Sequence, residues 1–101
     1  HTEGETTIAE VIDLDRFGSI RIAVSAADVA ARGLDRSRLE VVLGHVRLEL
    51  PFGQTFSDVD EGEPIALIDS SGWLTVAIRL GSASERYSAE PGTLAMIRGL
   101  A

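Results

Sequence analysis

Two short stretches concentrate the side chains best suited to holding a ligand. One is Asp15-Arg16-Phe17-Gly18-Ser19-Ile20; the other runs from Ile68 through Ser70-Ser71-Gly72 to Leu80-Gly81-Ser82-Ala83. Each sets a glycine at a corner between extended segments, beside small hydroxyl or aromatic side chains. A glycine corner lets a ligand approach main-chain N–H groups that a Cβ would otherwise shield. Phe17 and Phe56 lie at the edges of loops, where a pair of exposed rings would sandwich a planar base. The chemistry on offer is stacking and main-chain hydrogen bonding.

Other chemistries find little support. The chain has no cysteine, which removes thiolate chemistry and disulfides. His45 is the only internal histidine, whereas a zinc site needs three or four convergent ligands. It reads as a strand-surface histidine. Gly81-Ser82-Ala83-Ser84 lacks the second glycine of a nucleophile elbow. Asp58-Val59-Asp60-Glu61-Gly62-Glu63 lacks two ligand positions of a calcium loop and reads as a solvated acidic turn. No phosphate-binding or dinucleotide glycine pattern occurs. No catalytic residue, metal ligand or cofactor site is assigned.

The elements that must position these stretches are strands. Ile20, Ile22 and Val24 alternate with Ser19, Arg21 and Ala23, and Leu39, Val41 and Leu43 with Arg38, Glu40 and Val42. Val46, Leu48 and Leu50 repeat the pattern, as do Leu74, Val76, Ile78 and Leu80. Period-two alternation buries one face of a strand. Seven strands are expected, over residues 8–15, 19–25, 38–43, 45–50, 64–70, 73–80 and 93–98. One short helix is expected at Ser25–Arg32, with Ser25 as its cap and Gly33 ending it. A further helical turn fits Ser82–Arg86, and the polar segment Phe52–Pro64 reads as a loop. Many short strands with few helices predict an all-β fold, a small closed or nearly closed β-barrel. Residues 1–7 read as a flexible linker or terminal edge, and 8–101 as one barrel domain.

The 101 residues carry a net charge of −7, and all nine basic residues are arginine. So acidic a surface repels a phosphate backbone, which argues against nucleic acid. No apolar run is long enough for a membrane span, and cytoplasm is the default compartment.

Taken in order, the segments resemble the carboxy-terminal domain of the S-adenosylmethionine hydrolase (adenosine-forming) family, which includes the fluorinating and chlorinating enzymes acting on S-adenosylmethionine. The matching pieces are Asp15, Phe17 and Gly18; Thr55-Phe56-Ser57-Asp58-Val59; Gly62-Glu63; Ala66-Leu67-Ile68-Asp69-Ser70-Ser71-Gly72; and Gly81-Ser82-Ala83. Order and spacing agree from about Ala9 to Arg98. The chain departs from the family pattern at Ser19 and Ala23, where the family has Asn, at Ile22, where it has Thr, and at Leu80, where it has Asn. A serine hydroxyl cannot reproduce the paired donor and acceptor of an amide.

The resemblance implies a β-barrel that follows a larger α/β amino-terminal domain in a homotrimer. S-adenosylmethionine, as substrate rather than cofactor, would lie between that domain of one subunit and the barrel of its neighbour. Phe17 and Phe56 would line adenine, and Ser19 would read its edge. Ser70 and Ser71 would meet the methionine carboxylate, and the backbone of Leu80, Gly81, Ser82 and Ala83 would hydrogen-bond adenine. Cleavage to adenosine and methionine would need the amino-terminal domain, whose catalytic acids have no counterpart in this chain, so the barrel alone is expected to be inactive. The alternative function is a non-catalytic binding or oligomerisation module that has lost adenine recognition.

Overall fold

The computed structural model describes residues 6–36 and 38–100. Most of the expected linker, residues 1–5, lies outside the described residues; Thr7 is buried and already belongs to a strand. Seven strands form: β1 (Thr7–Leu14), β2 (Ile20–Ser25), β3 (Arg38–Leu43), β4 (Val46–Pro51), β5 (Pro64–Ile68), β6 (Trp73–Ile78) and β7 (Leu94–Leu100). Their boundaries follow the alternation closely. Along β2 and β3 the residues of the apolar phase are buried and their neighbours are not. Two short helices are present, α1 (Ala26–Ala31) and α2 (Ala83–Tyr87), with a 3-10 turn at Phe56–Asp58. The helical turn read at Ser82–Arg86 is thus a second helix, and the loop over Phe52–Pro64 contains a turn of its own.

The strands hydrogen-bond in the order β4-β3-β7-β1-β2-β6-β5, every ladder antiparallel. The two edge strands then meet. Phe52, just past β4, bridges Ala66 of β5 in parallel, and the Gly53 N–H donates to the Ala66 carbonyl at 2.9 Å. The sheet therefore curls into a nearly closed barrel, which leaves little unpaired edge. Its interior is filled by the inward phase of each strand, including Val11, Ile20, Ile22, Leu39, Val41, Leu50, Leu74, Val76 and Ile97, each at most 2% exposed. A smaller apolar cluster, Ile65, Leu67 and Ala77, lies on the outer face of β5 and β6 beneath Val59.

The helices sit at opposite ends of β6. α1 starts beside the β5–β6 turn, with the Ala26 N–H on the Gly72 carbonyl at 2.9 Å. Its cap Ser25 accepts from the Asp28 N–H at 3.1 Å, and Val29 anchors it in the core. α2 follows the far end of β6. Ser82 caps it by accepting from the Glu85 N–H, and Ala83 at its start and Ala89 just past its end are buried.

Candidate functional site

The site is assembled from two turns and the end of a strand. The Asp15–Ser19 turn joins β1 to β2 and is wound around one carboxylate. Asp15 Oδ1 accepts from the Phe17 N–H at 2.8 Å and the Ser19 N–H at 2.9 Å, and the Asp15 N–H donates to the Ser19 carbonyl at 3.0 Å. An aspartate that collects N–H groups two and four residues on makes a tight local loop. The turn leaves the Phe17 ring 72% exposed, with the Arg16 guanidinium 5.6 Å from its centroid. That spacing suits a cation–π contact on one face of the ring.

Opposite stands the 3-10 turn. Thr55 caps it, accepting from the Ser57 N–H at 3.0 Å, while Asp58 Oδ2 accepts from the Gln54 N–H at 2.8 Å and the Thr55 N–H at 3.2 Å. These reciprocal bonds form a capping box. The Gln54 and Thr55 N–H groups hold the Asp58 carboxyl below its ordinary range. Asp58 is therefore a turn-closing acceptor, which corrects its reading as one of several solvated acids. Phe56 projects from this turn, half exposed.

The β2–β6 register sets the third wall. Ile20 pairs with Val76, so the turn before β2 lies beside the residues that follow β6. There Leu80 takes a left-handed backbone, φ 58°, with its side chain 78% exposed. Between these walls opens a cleft of about 710 Å³ lined by Asp15, Phe17, Ser19, Phe56, Ile78, Arg79, Leu80 and Gly81. Phe17, Ser19, Phe56, Leu80 and Gly81, all named from the sequence, thus come together. Ser19 lines the cleft from its floor, buried at 8% exposure.

Four other named residues lie elsewhere. Ser82 does not line the cleft; it caps α2 and packs against Gly18. Ala83, the first residue of α2, is fully buried. Ser70 and Ser71 are exposed in the β5–β6 turn at the opposite end of β6, about 20 Å away at the usual rise per strand residue. Asp69 builds that turn, its Oδ1 accepting from the Ser71 N–H at 2.9 Å and the Trp73 N–H at 3.1 Å. Its other oxygen takes Arg21 Nε at 2.7 Å and Thr75 Oγ1 at 3.1 Å, and Arg21 also donates to Asp13. Burial pushes the Asp69 carboxyl up, but Arg21 and the three neutral donors outweigh it and hold the group below its ordinary value. Arg21 follows Ser19 by two residues on the same strand face. The Arg21–Asp69 pair therefore lies between the cleft and the Ser70–Ser71 turn.

The glycine corners work differently from the sequence expectation. The Gly18 N–H donates to the Asp15 carbonyl at 3.0 Å, and the Gly81 N–H to the Ile78 carbonyl at 3.1 Å. Neither is open to a ligand. A Cβ on Gly18 would overlap Ser82 Oγ, and one on Gly81 would lie 2.8 Å from Ile78 Cγ2. These glycines let protein pack against protein. Arg79, Ile78 and Asp15 were missed as cleft residues. The Asp-x-Phe spacing carried a turn signal for Asp15, but nothing local marked Arg79 or Ile78, which reach the cleft only through strand pairing.

Comparison with known proteins follows the same outline. The family model described as "SAM hydroxide adenosyltransferase C-terminal domain" matches residues 9–95. A protein of Salinispora tropica named (R)-S-adenosyl-L-methionine hydrolase is 32% identical over 92 residues, covering 89% of this chain and 32% of that protein. A Thermus thermophilus protein of the same name is 35% identical over 91 residues, covering 90% of this chain and 31% of its own length. Among solved structures, an uncharacterized conserved protein from Thermotoga maritima superposes with a TM-score of 0.87 at 30% identity, over 95% of this chain and 37% of that one. A conserved hypothetical protein from Thermus thermophilus gives 0.63 at 31% identity, over 95% and 36%. The chain spans about a third of the length of the curated relatives it matches.

Proposed function

The chain belongs to the SAM hydroxide adenosyltransferase C-terminal domain family, and on that premise we propose that its cleft takes the adenosine half of S-adenosylmethionine. The observation that carries the reading is the convergence of Phe17, Phe56 and Leu80 on one cleft. Three large apolar side chains are half exposed or more there, with the buried Ser19 beside them. Exposed rings facing a common space suit a flat heterocycle.

In this reading the barrel binds and orients. Displacement at the C5′ carbon depends on in-line positioning, which a nucleoside clamp supplies. The attacking water belongs to an α/β amino-terminal domain, in a cytoplasmic homotrimer whose neighbouring subunit completes the pocket. No cofactor takes part, and the barrel alone does not turn substrate over.

Calorimetry with adenosine and S-adenosylmethionine tests the proposal. Saturable binding is expected, and Phe17→Ala should weaken it about 5- to 150-fold, since stacking on one base contributes about 1–3 kcal/mol. Stability should barely change, because the ring is mostly exposed. No heat at millimolar adenosine would refute the nucleoside reading and favour an assembly module. Release of adenosine from S-adenosylmethionine by the barrel alone would overturn the division of roles.

A further inference from the structure

The 3-10 turn is held from both sides, and what it presents to the cleft is Phe56. On its leading side, one Asp58 oxygen gathers the Gln54 and Thr55 N–H groups, drawing the chain ahead of Phe56 into a closed loop. The same carboxylate packs where the barrel closes. A Cβ on Gly53 would lie 2.8 Å from Asp58 Oδ2 and 2.7 Å from Ile65 Cδ1, and the Gly53 N–H is bonded to Ala66. On the trailing side, Arg79 Nη1 donates to the Val59 carbonyl at 2.8 Å, and Val59 seats on Ile65, Leu67 and Ala77. Phe56 itself is half exposed and lies outside the core. A loop tied this closely, whose aromatic residue contributes little to folding, is organised to hold that ring in place.

We propose that Asp58 is a positioning residue of the site, fixing the Phe56 ring across the cleft from Phe17 without touching the ligand. The inference rests on the nucleoside reading for its ligand but makes a separate claim about the free protein. Preorganisation explains why a carboxylate is used. An ionised acceptor holds two N–H groups more strongly than a neutral one, and a ring fixed in advance loses less freedom on binding.

The test is a double-mutant cycle in the 101-residue chain at a temperature well below unfolding. Asp58→Ala should lower adenosine affinity about fivefold or more, near the effect of losing a stacking contact. Asp58→Asn, which keeps an acceptor oxygen without the charge, should restore only part of it. In a Phe56→Ala background Asp58→Ala should change affinity less than about twofold, because the ring it positions is gone. In the ligand-free protein, the backbone NMR order parameter at Phe56, which carries the ring, should fall from about 0.85 toward 0.6 in Asp58→Ala, with core residues unchanged. A general structural role would instead weaken binding equally in both backgrounds, and that result overturns the proposal. So does an Asp58→Ala protein with an ordered Phe56 and normal affinity. If the unsubstituted chain binds no adenosine, the nucleoside reading fails by itself, and the order parameter still decides whether Asp58 holds the ring.

Discussion

Gly18→Ala is the substitution whose consequence the structure defines most fully. Gly18 has φ +84°, a region that costs a residue with a Cβ about 1–2 kcal/mol. The new methyl would also overlap Ser82 Oγ and lie 2.8 Å from Ser82 Cβ and 3.1 Å from Ser82 Cα. Rotating Ser82 Oγ away removes the cap on the Glu85 N–H, about 1 kcal/mol, and leaves the backbone contact in place. Together these predict a loss of about 2–4 kcal/mol, a large share of the 5–15 kcal/mol typical of a domain. Urea unfolding measures it, as a midpoint lowered by about 1–3 M at ordinary slopes. The Gly18→Ala/Ser82→Gly double variant separates the causes. Glycine at the cap sacrifices only a few tenths of a kcal/mol, and it removes both clashing side-chain atoms. The pair should therefore recover the clash but not the backbone strain, leaving about 1–2 kcal/mol lost. The Gly18 carbonyl also accepts from the Ser84 N–H at 2.8 Å, so the substitution should loosen the Phe17 turn and weaken adenosine binding as well. A single variant within about 0.5 kcal/mol of the original, or no recovery in the double, refutes the claim that Gly18 docks the Phe17 turn onto α2.

Two further outcomes follow. Leu80→Asn should raise stability by about 0.5–1 kcal/mol, because asparagine tolerates the left-handed backbone that leucine adopts at φ 58° and the leucine side chain is mostly exposed; a lowered thermal midpoint contradicts the strain argument. Asp69 and Asp58 both have depressed carboxyl values in the fold. Their stabilisation is present above the unfolded carboxylate value near 4 and is lost as pH falls through the lower folded values. Urea midpoints should therefore drop between pH 5 and pH 2.5. Asp69→Asn should flatten part of that drop, and an unchanged pH profile counts against the Arg21–Asp69 pair as its source.

Local pattern fixed a great deal of this protein. The alternation along Ile20–Val24, Leu39–Leu43 and Leu74–Ile78 specified strands, since one buried face per strand leaves no other phase for the apolar residues. Ser25 announced a helix start because a cap acts within one turn. Asp15 sits two residues before Phe17, and Thr55 three before Asp58, both of them spacings at which a side chain bonds its own backbone. What tertiary structure alone decided was which turns meet. The pairing of Ile20 with Val76 brings Phe17 to Leu80, and the bridge from Phe52 to Ala66 swings Phe56 to the same end of the barrel. The same register sends Ser70 and Ser71 to the opposite end of β6, spends the Gly18 and Gly81 N–H groups inside their own turns, and delivers Arg79 to the cleft. Strand register and barrel closure join residues far apart in the chain, and no local spacing encodes a contact that exists only once the whole sheet has closed.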